Sequence, residues 1–201
     1  NKQYITLLNE PLVWVVDPID GTKNYINGKD TFCSMISLVS FSIPIATFIY
    51  YPLKNIYVYG FKDFGAYSMN IDTNKITKLS INQTTPKFIL GSGGTKGIPD
   101  PYRKSILDNL RNNTKRVFIG SAGIETIMLA NNKPQFMFHG RVTPWDHSPL
   151  DLITREAGGC VYMIKNKERF NLNAKGPILA ASNNEIWDCI KEIAIPKHHP
   201  Y

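Results

Sequence analysis

Residues 12–22 read LVWVVDPIDGT: an apolar run that stops at Asp17, with a second aspartate at position 20. Leu12 to Val16 has the length and β-branched content of a fully buried strand. The two carboxylates then stand where a rigid element delivers side chains to a loop. Negative charges that close repel one another unless something positive sits between them. Pro18 fixes the turn, and Gly21 lets backbone approach a ligand without a Cβ in the way. With Thr22 opening a turn of helix over 22–27, the Gly21 and Thr22 amides point outward at its positive end, as in a phosphate site. Paired carboxylates suit hard cations such as Mg²⁺, which take oxygen ligands and bridge to substrate phosphate. Taken alone, D-x-x-D-G-T reads equally well as a turn whose aspartates cap backbone amides. A nucleophilic aspartate of the D-x-D-G-T type is disfavoured, because the spacing here is three and position 18 is proline.

A second constellation, WDHSPLDLITREAGG, occupies residues 145–159. Here Asp146 is expected to precede a helix over 149–157, with Pro149 in its first turn and Leu150, Ile153 and Ala157 as its apolar stripe. A carboxylate there acts as an N-cap and is stabilised as an anion. His147 reads as a packing or hydrogen-bonding residue, and Asp151 and Glu156 read as the solvated face.

Between these motifs the pattern changes once. The first half predicts antiparallel strands over 32–41 and 43–51, punctuated at Ser42-Ile43-Pro44, then over 56–59 and 65–68. The polar stretch 82–86 marks a domain boundary, dividing 1–85 from 86–201. The second half predicts strands over 87–90, 117–119, 135–139, 161–164 and 178–181, alternating with helices over 101–112, 122–130, 149–157 and 185–193. Such alternation argues a layered α/β arrangement. GSGGTKG (91–97) lacks the G-x-x-x-x-G-K-[ST] spacing of a P-loop and reads as a strand-to-helix loop.

With 43% hydrophobic and 19% charged residues in 201, the chain is globular and large enough for two small domains sharing an interface. No apolar run is long enough to span a bilayer, and no basic-then-apolar signal pattern stands in these 201 residues, any targeting signal belonging to the upstream portion expected below. The formal charge of +7 is spread over scattered lysines, so nucleic acid is not expected as a partner. Three distant cysteines, Cys33, Cys160 and Cys189, read as buried reduced thiols of a cytoplasmic protein. The PKHHPY end, with His198 and His199, reads as a disordered tail. A start at Asn1 without Met leads us to expect an upstream portion.

Together, DPIDGT and WDxxxxxxxxxEAGG resemble the two signatures of the inositol monophosphatase family of Mg²⁺-dependent, lithium-sensitive phosphatases. GSAGIETIMLA (120–130) and ILAASNNEIWDCI (178–190) extend the resemblance from about Trp14 to Ile193. It implies an α+β fold, the layered αβαβα sandwich of the inositol monophosphatase and fructose-1,6-bisphosphatase type, with the active site between a mixed-sheet metal-binding domain (1–85) and an α/β domain (86–201). Asp17, the Ile19 carbonyl, Asp20 and Asp146 would bind two or three Mg²⁺ ions, with Li⁺ as inhibitor. Gly21 and Thr22 would hold phosphate, and Thr22 would also orient the attacking water. Gly120, Ser121, Ala122 and, as a weaker assignment, Ser92 would lie near the substrate. Metal-activated water would attack phosphorus, without a covalent phosphoenzyme. The family supplies a further glutamate before DPIDGT. Glu10 lacks the acidic neighbour and sits too close to the strand, so that ligand is expected upstream of Asn1. A homodimer and a small polyol or sugar phosphate substrate are also implied. The rival substrates are 3′-phosphoadenosine 5′-phosphate, fructose 1,6-bisphosphate and histidinol phosphate, and a regulatory RNA-associated member with little catalysis is the rival from another class. Seven residues before Asp146, where inositol-hydrolysing relatives carry glutamate, stands His139, with Arg141 two residues on. The pair points to a smaller or more anionic ester than inositol 1-phosphate.

Overall fold

The opening apolar run becomes the first strand of an antiparallel sheet. The structure, a computed structural model, describes residues 10–195. Strands β1 (Leu12–Asp20), β2 (Cys33–Ser40), β3 (Ile43–Tyr51), β4 (Ile56–Phe61), β5 (Gly65–Asn70) and β6 (Ile76–Lys78) form one six-stranded sheet in chain order. A short helix, α1 (Thr22–Ile26), follows β1. The β2–β3 hairpin turns on Phe41 and Ser42, both at positive φ, as a two-residue turn matched to strand twist requires. The other links after β2 are similarly short, and every pairing in this sheet is antiparallel. The mixed sheet expected in the first half is therefore corrected: parallel neighbours need long crossovers that these turns do not supply.

The mixed sheet lies in the second half, in the order β10-β11-β9-β7-β8. Its strands are β7 (Leu90–Gly94), β8 (Lys115–Arg116), β9 (Phe136–His139), β10 (Cys160–Met163) and β11 (Ile178–Ala181). β7 runs parallel to β8 and β9, while β11 pairs antiparallel with β9 and β10. Its helices are α2 (Tyr102–Asn113), α3 (Ala122–Ala130), α4 (Pro144–Glu156) and α5 (Asn184–Ala194). α4 packs on both sheets and on α3, so these two helices fill the space between the sheets. α2 and α5 pack together, α5 lying against β11. The described residues thus stack as four layers, β-α-β-α, of the αβαβα sandwich. One apolar cluster joins the sheets through Met35, Ile49, Leu150 and Ile153, and a second joins the mixed sheet to α2 and α5 through Ile106, Phe138 and Trp187. The chain changes sheets within residues 79–89, and we propose 85/86 there as the division between domains.

Several local expectations change. β1 is not fully buried: among the described residues Leu12, Trp14 and Val16, which share one face of the strand, are more than half exposed. β7 starts later than expected and runs through Gly91–Gly94, so this stretch is strand and not loop. The glycines make that strand possible. Gly91 pairs with Phe136, and a Cβ on it would lie 1.9 Å from Phe136 Cζ. Residues 117–119 are not strand. Val117 donates its N–H to Gly91 O at 2.9 Å, and the chain then turns toward α3.

α4 begins five residues earlier than expected: Pro144 holds the first-turn position, and Pro149 sits inside the helix. Asp146 is consequently in the first turn and is not the N-cap, a position taken by Thr143. Nor are Asp151 and Glu156 a solvated face. Asp151 is fully buried, paired with Arg155 at 2.7 Å and Arg169 at 3.3 Å. Glu156 accepts the Asp63 and Gly65 amides, each at 2.8 Å, tying α4 to the β4–β5 turn. Cys33 and Cys160 are buried as expected, while Cys189 is exposed. His198 and His199 lie outside the described residues. Among the described residues no helix is long and apolar enough to cross a membrane.

Candidate active site

In a regular strand, residues three apart point to opposite faces. Asp17 and Asp20 escape that rule through a bulge: Asp17 pairs with Met35 and Asp20 with Cys33, so the register shifts between them. The bulge is pinned locally. Ile19 N–H donates to Asp17 Oδ1 at 3.1 Å, and Ser34 Oγ donates to the Pro18 carbonyl at 2.7 Å. One oxygen each from Asp17, Asp20 and Asp146 then lies within 4.8 Å of the other two. The first turn of α4 brings the third carboxylate to the pair that ends β1.

Asp20 is held from the start of α3. Ser121 Oγ donates to its Oδ2 at 2.6 Å and Gly123 N–H at 2.7 Å, with Cys33 Sγ at 3.6 Å. Ser121 also caps α3, accepting from Ile124 N–H at 3.3 Å. The positive end of a nine-residue helix therefore faces a buried carboxylate. Gly123 has no room for a side chain, since a Cβ would meet Cys33 Sγ at 2.4 Å. Asp146 is positioned by Thr143, whose Oγ1 donates to its Oδ2 at 2.7 Å.

Burial and neighbouring negative charge raise two of these carboxyls, Asp17 and Asp146. Burial, then Asp20 and Asp146, push the Asp17 carboxyl from 3.8 up to about 6, against a small opposing effect of the Ile19 amide. Burial raises Asp146 as well, offset in part by the Thr143 hydroxyl. These hard oxygen donors, closely spaced and mutually repelling, fit a divalent cation. Glu10 is exposed and outside this cluster.

Beside the carboxylates lies a cavity of about 250 Å³, whose lining includes Asp20, Asp146, Glu125, His139, Lys96 and Arg141. Phe118, 83% exposed, also contributes to its wall. Gly120, Ser121 and Ala122 line it too, although the Ser121 hydroxyl and Gly123 amide are spent on Asp20. Ser92 is not part of the lining. It is buried in β7, and its hydroxyl has no hydrogen-bond partner among the described residues. Gly21, at φ +80°, makes its close approach to the protein itself: a Cβ would lie 2.8 Å from Thr31 O and 3.0 Å from Ser121 Cβ. Thr22 Oγ1 donates to the Ile19 carbonyl at 2.8 Å.

His139 reaches the cavity wall, but both its ring nitrogens are engaged: Nε2 with Glu125 Oε2 and Nδ1 with His147 Nε2, each at 3.0 Å. It is therefore not the open donor and acceptor that the sequence suggested. Glu125 is the polar residue sequence reasoning missed. A single carboxylate inside the apolar helix GIETIML was the available signal, because burying one costs several kcal/mol unless it is paired.

Residues 3–194 match the model of the inositol monophosphatase family. The chain is 31% identical over 189 residues to a fructose-1,6-bisphosphatase/inositol-1-monophosphatase from Aquifex aeolicus, covering 90% of this chain and 66% of that protein. It is 25% identical over 196 residues to the Nus factor SuhB from Xylella fastidiosa, covering 93% and 69%. In fold it resembles an inositol monophosphatase from Zymomonas mobilis at a TM-score of 0.81 and 20% identity, covering 92% of this chain and 71% of that one. The chain thus spans about two thirds of the length of these relatives.

Proposed function

The chain belongs to the inositol monophosphatase family, and from that premise we propose that it is a divalent-cation-dependent phosphomonoesterase acting on a small phosphorylated substrate. The observation that carries this reading is the meeting of Asp17, Asp20 and Asp146 within 4.8 Å beside a cavity walled by Lys96 and Arg141. Mg²⁺ is the cation that suits these oxygens. When bound, it would supply charge stabilisation at the transferring phosphoryl group and a water of lowered pKa.

The chain's own residues divide the remaining work. Asp17, Asp20 and Asp146 hold the cation, joined by the Ile19 carbonyl, which Thr22 orients. Arg141 and Lys96 bring positive charge to the ester, and Arg141 can clamp two oxygens of an anionic group at once. The Gly21 and Thr22 amides serve the phosphate. The +7 charge of the whole chain attracts such a substrate from a distance. A polyol or sugar phosphate is the proposed class, and the engaged His139 leaves Lys96 and Arg141 as the groups favouring esters with a second anionic group. Inhibition by Li⁺, a homodimer and a cytoplasmic location complete the proposal.

The test is phosphate release from a panel containing inositol 1-phosphate, fructose 1,6-bisphosphate, 3′-phosphoadenosine 5′-phosphate and histidinol phosphate. Mg²⁺-dependent turnover should fall at least about a hundredfold in Asp17→Asn and Asp146→Asn, as when transition-state electrostatics are lost. Undiminished turnover in either variant sinks the proposal. Likeness to a Nus factor supports one rival, a regulatory RNA-associated member with little catalysis. Salt-sensitive RNA retention without turnover on any ester would favour it.

A further inference from the structure

Glu125, His139 and His147 are buried or nearly so, and they link two parts of the site that are far apart in sequence. His147 Nδ1 is 3.0 Å from both the amide and the carbonyl of Thr143. That carbonyl already accepts the helical N–H of His147 at 3.1 Å, whereas the amide can only donate. We therefore assign the Thr143 N–H as donor to Nδ1, which leaves the hydrogen of His147 on Nε2. His147 Nε2–H then donates to His139 Nδ1 at 3.0 Å, and His139 Nε2–H donates to Glu125 Oε2 at 3.0 Å. One backbone amide sets the direction of the whole run of hydrogen bonds. For the His139 pKa, burial acts downward, and the Glu125 bond and charge outweigh it and raise the pKa.

Both ends of this run stop at groups that hold the clustered carboxylates. Thr143 donates its hydroxyl to Asp146 Oδ2 at 2.7 Å. Glu125 accepts the Gly120 amide through Oε1 at 3.4 Å, and the next residue, Ser121, donates to Asp20 Oδ2 at 2.6 Å. We propose that Glu125, His139 and His147 are positioning residues, a hydrogen-bonded strap that sets the start of α4, with Asp146, against the start of α3, which holds Asp20. This inference rests on the reading of Asp20 and Asp146 as cation ligands. Partners that orient a ligating group commonly change metal affinity ten- to a hundredfold when removed.

The test uses the full chain, with Mn²⁺ as the probe. Mn²⁺ affinity is measured by electron paramagnetic resonance at pH 8, alongside the melting temperature of the metal-free protein, for the parent, His139→Phe and Glu125→Gln. His139→Phe fills the site without either hydrogen bond, and Glu125→Gln keeps an acceptor for His139. The strap predicts Mn²⁺ binding at least tenfold weaker in His139→Phe and within about threefold of the parent in Glu125→Gln. Affinity within twofold of the parent in a folded His139→Phe, whatever its melting temperature, overturns the proposal. Nitrogen-15 spectra of the histidine rings in the unmodified protein test it without any variant. Both rings should carry hydrogen on Nε2 only, and an Nδ1–H tautomer or rapid averaging at His139 overturns it. Loss of Mn²⁺ binding in Asp146→Asn but not in His139→Phe removes the strap and leaves the catalytic reading standing. No Mn²⁺ binding by the parent removes the catalytic reading, and the strap with it.

Discussion

Lowering the pH from 8 to 4 should weaken divalent-cation binding in a way that reports Asp17 directly. Its carboxyl is raised to about 6 by burial and by Asp20 and Asp146, so a cation must displace a proton below that value. Each pH unit below 6 then costs about a factor of ten in apparent affinity, giving roughly tenfold weaker binding at pH 5 and a hundredfold at pH 4 from this group alone. A carboxyl at the ordinary value would leave affinity nearly flat to about pH 4.5. Isothermal titration with Mg²⁺ in buffers of different ionisation enthalpy measures both affinity and proton release, and about half a proton should be released per cation at pH 6. The sign for stability follows from the same group. Because the folded state holds this proton more tightly than the unfolded chain, the metal-free protein loses stability as pH rises from about 4 to 6, and the loss is complete above 6. Metal-free Asp17→Asn should therefore melt above the parent at pH 8, keep roughly half of that advantage at pH 5, and lose it only as pH falls below about 4. An affinity unchanged between pH 8 and 5, with no proton released at pH 6, would refute the reasoning.

Other outcomes follow from the packing. Gly91→Ala places a methyl on the Phe136 ring and should destabilise by about 1–3 kcal/mol or more, read from urea unfolding. Asp151→Ala leaves Arg155 and Arg169 without their buried partner and should cost about 3–5 kcal/mol in the same assay. Glu156→Ala frees two amides of the β4–β5 turn, so hydrogen exchange at Asp63 and Gly65 should quicken while the β2–β3 hairpin keeps its protection.

What could be read in the sequence was whatever short-range pattern decides. The β2–β3 hairpin follows from two apolar β-branched runs around a turn, and α3 was legible to the residue, from Ala122 to Ala130. Both carboxylate motifs were legible as well, because the spacing of D-x-x-D-G-T and its proline and glycine carry chemistry locally. What failed depended on distant partners. α4 was begun at the wrong proline, since Pro149 and Pro144 both suit a first turn and only packing between two sheets lets the helix run through Pro149. Asp151 looked solvated because its neutralising Arg169 lies 18 residues away. His139 lines the cavity, but its partners come from α3 and α4, and no local signal shows that both its nitrogens are used. The bulge that turns Asp17 and Asp20 to one side is likewise a property of pairing with β2.

The central claim is that Asp17, Asp20 and Asp146 form one cation site. Anomalous diffraction from crystals grown with Mn²⁺ tests it most directly. The account predicts a strong peak among the carboxylate oxygens of all three residues, at about 2.0–2.2 Å from its ligands as small octahedral cations require. A Mn²⁺ peak elsewhere on the chain, or none at these carboxylates in crystals saturated with the ion, would contradict it.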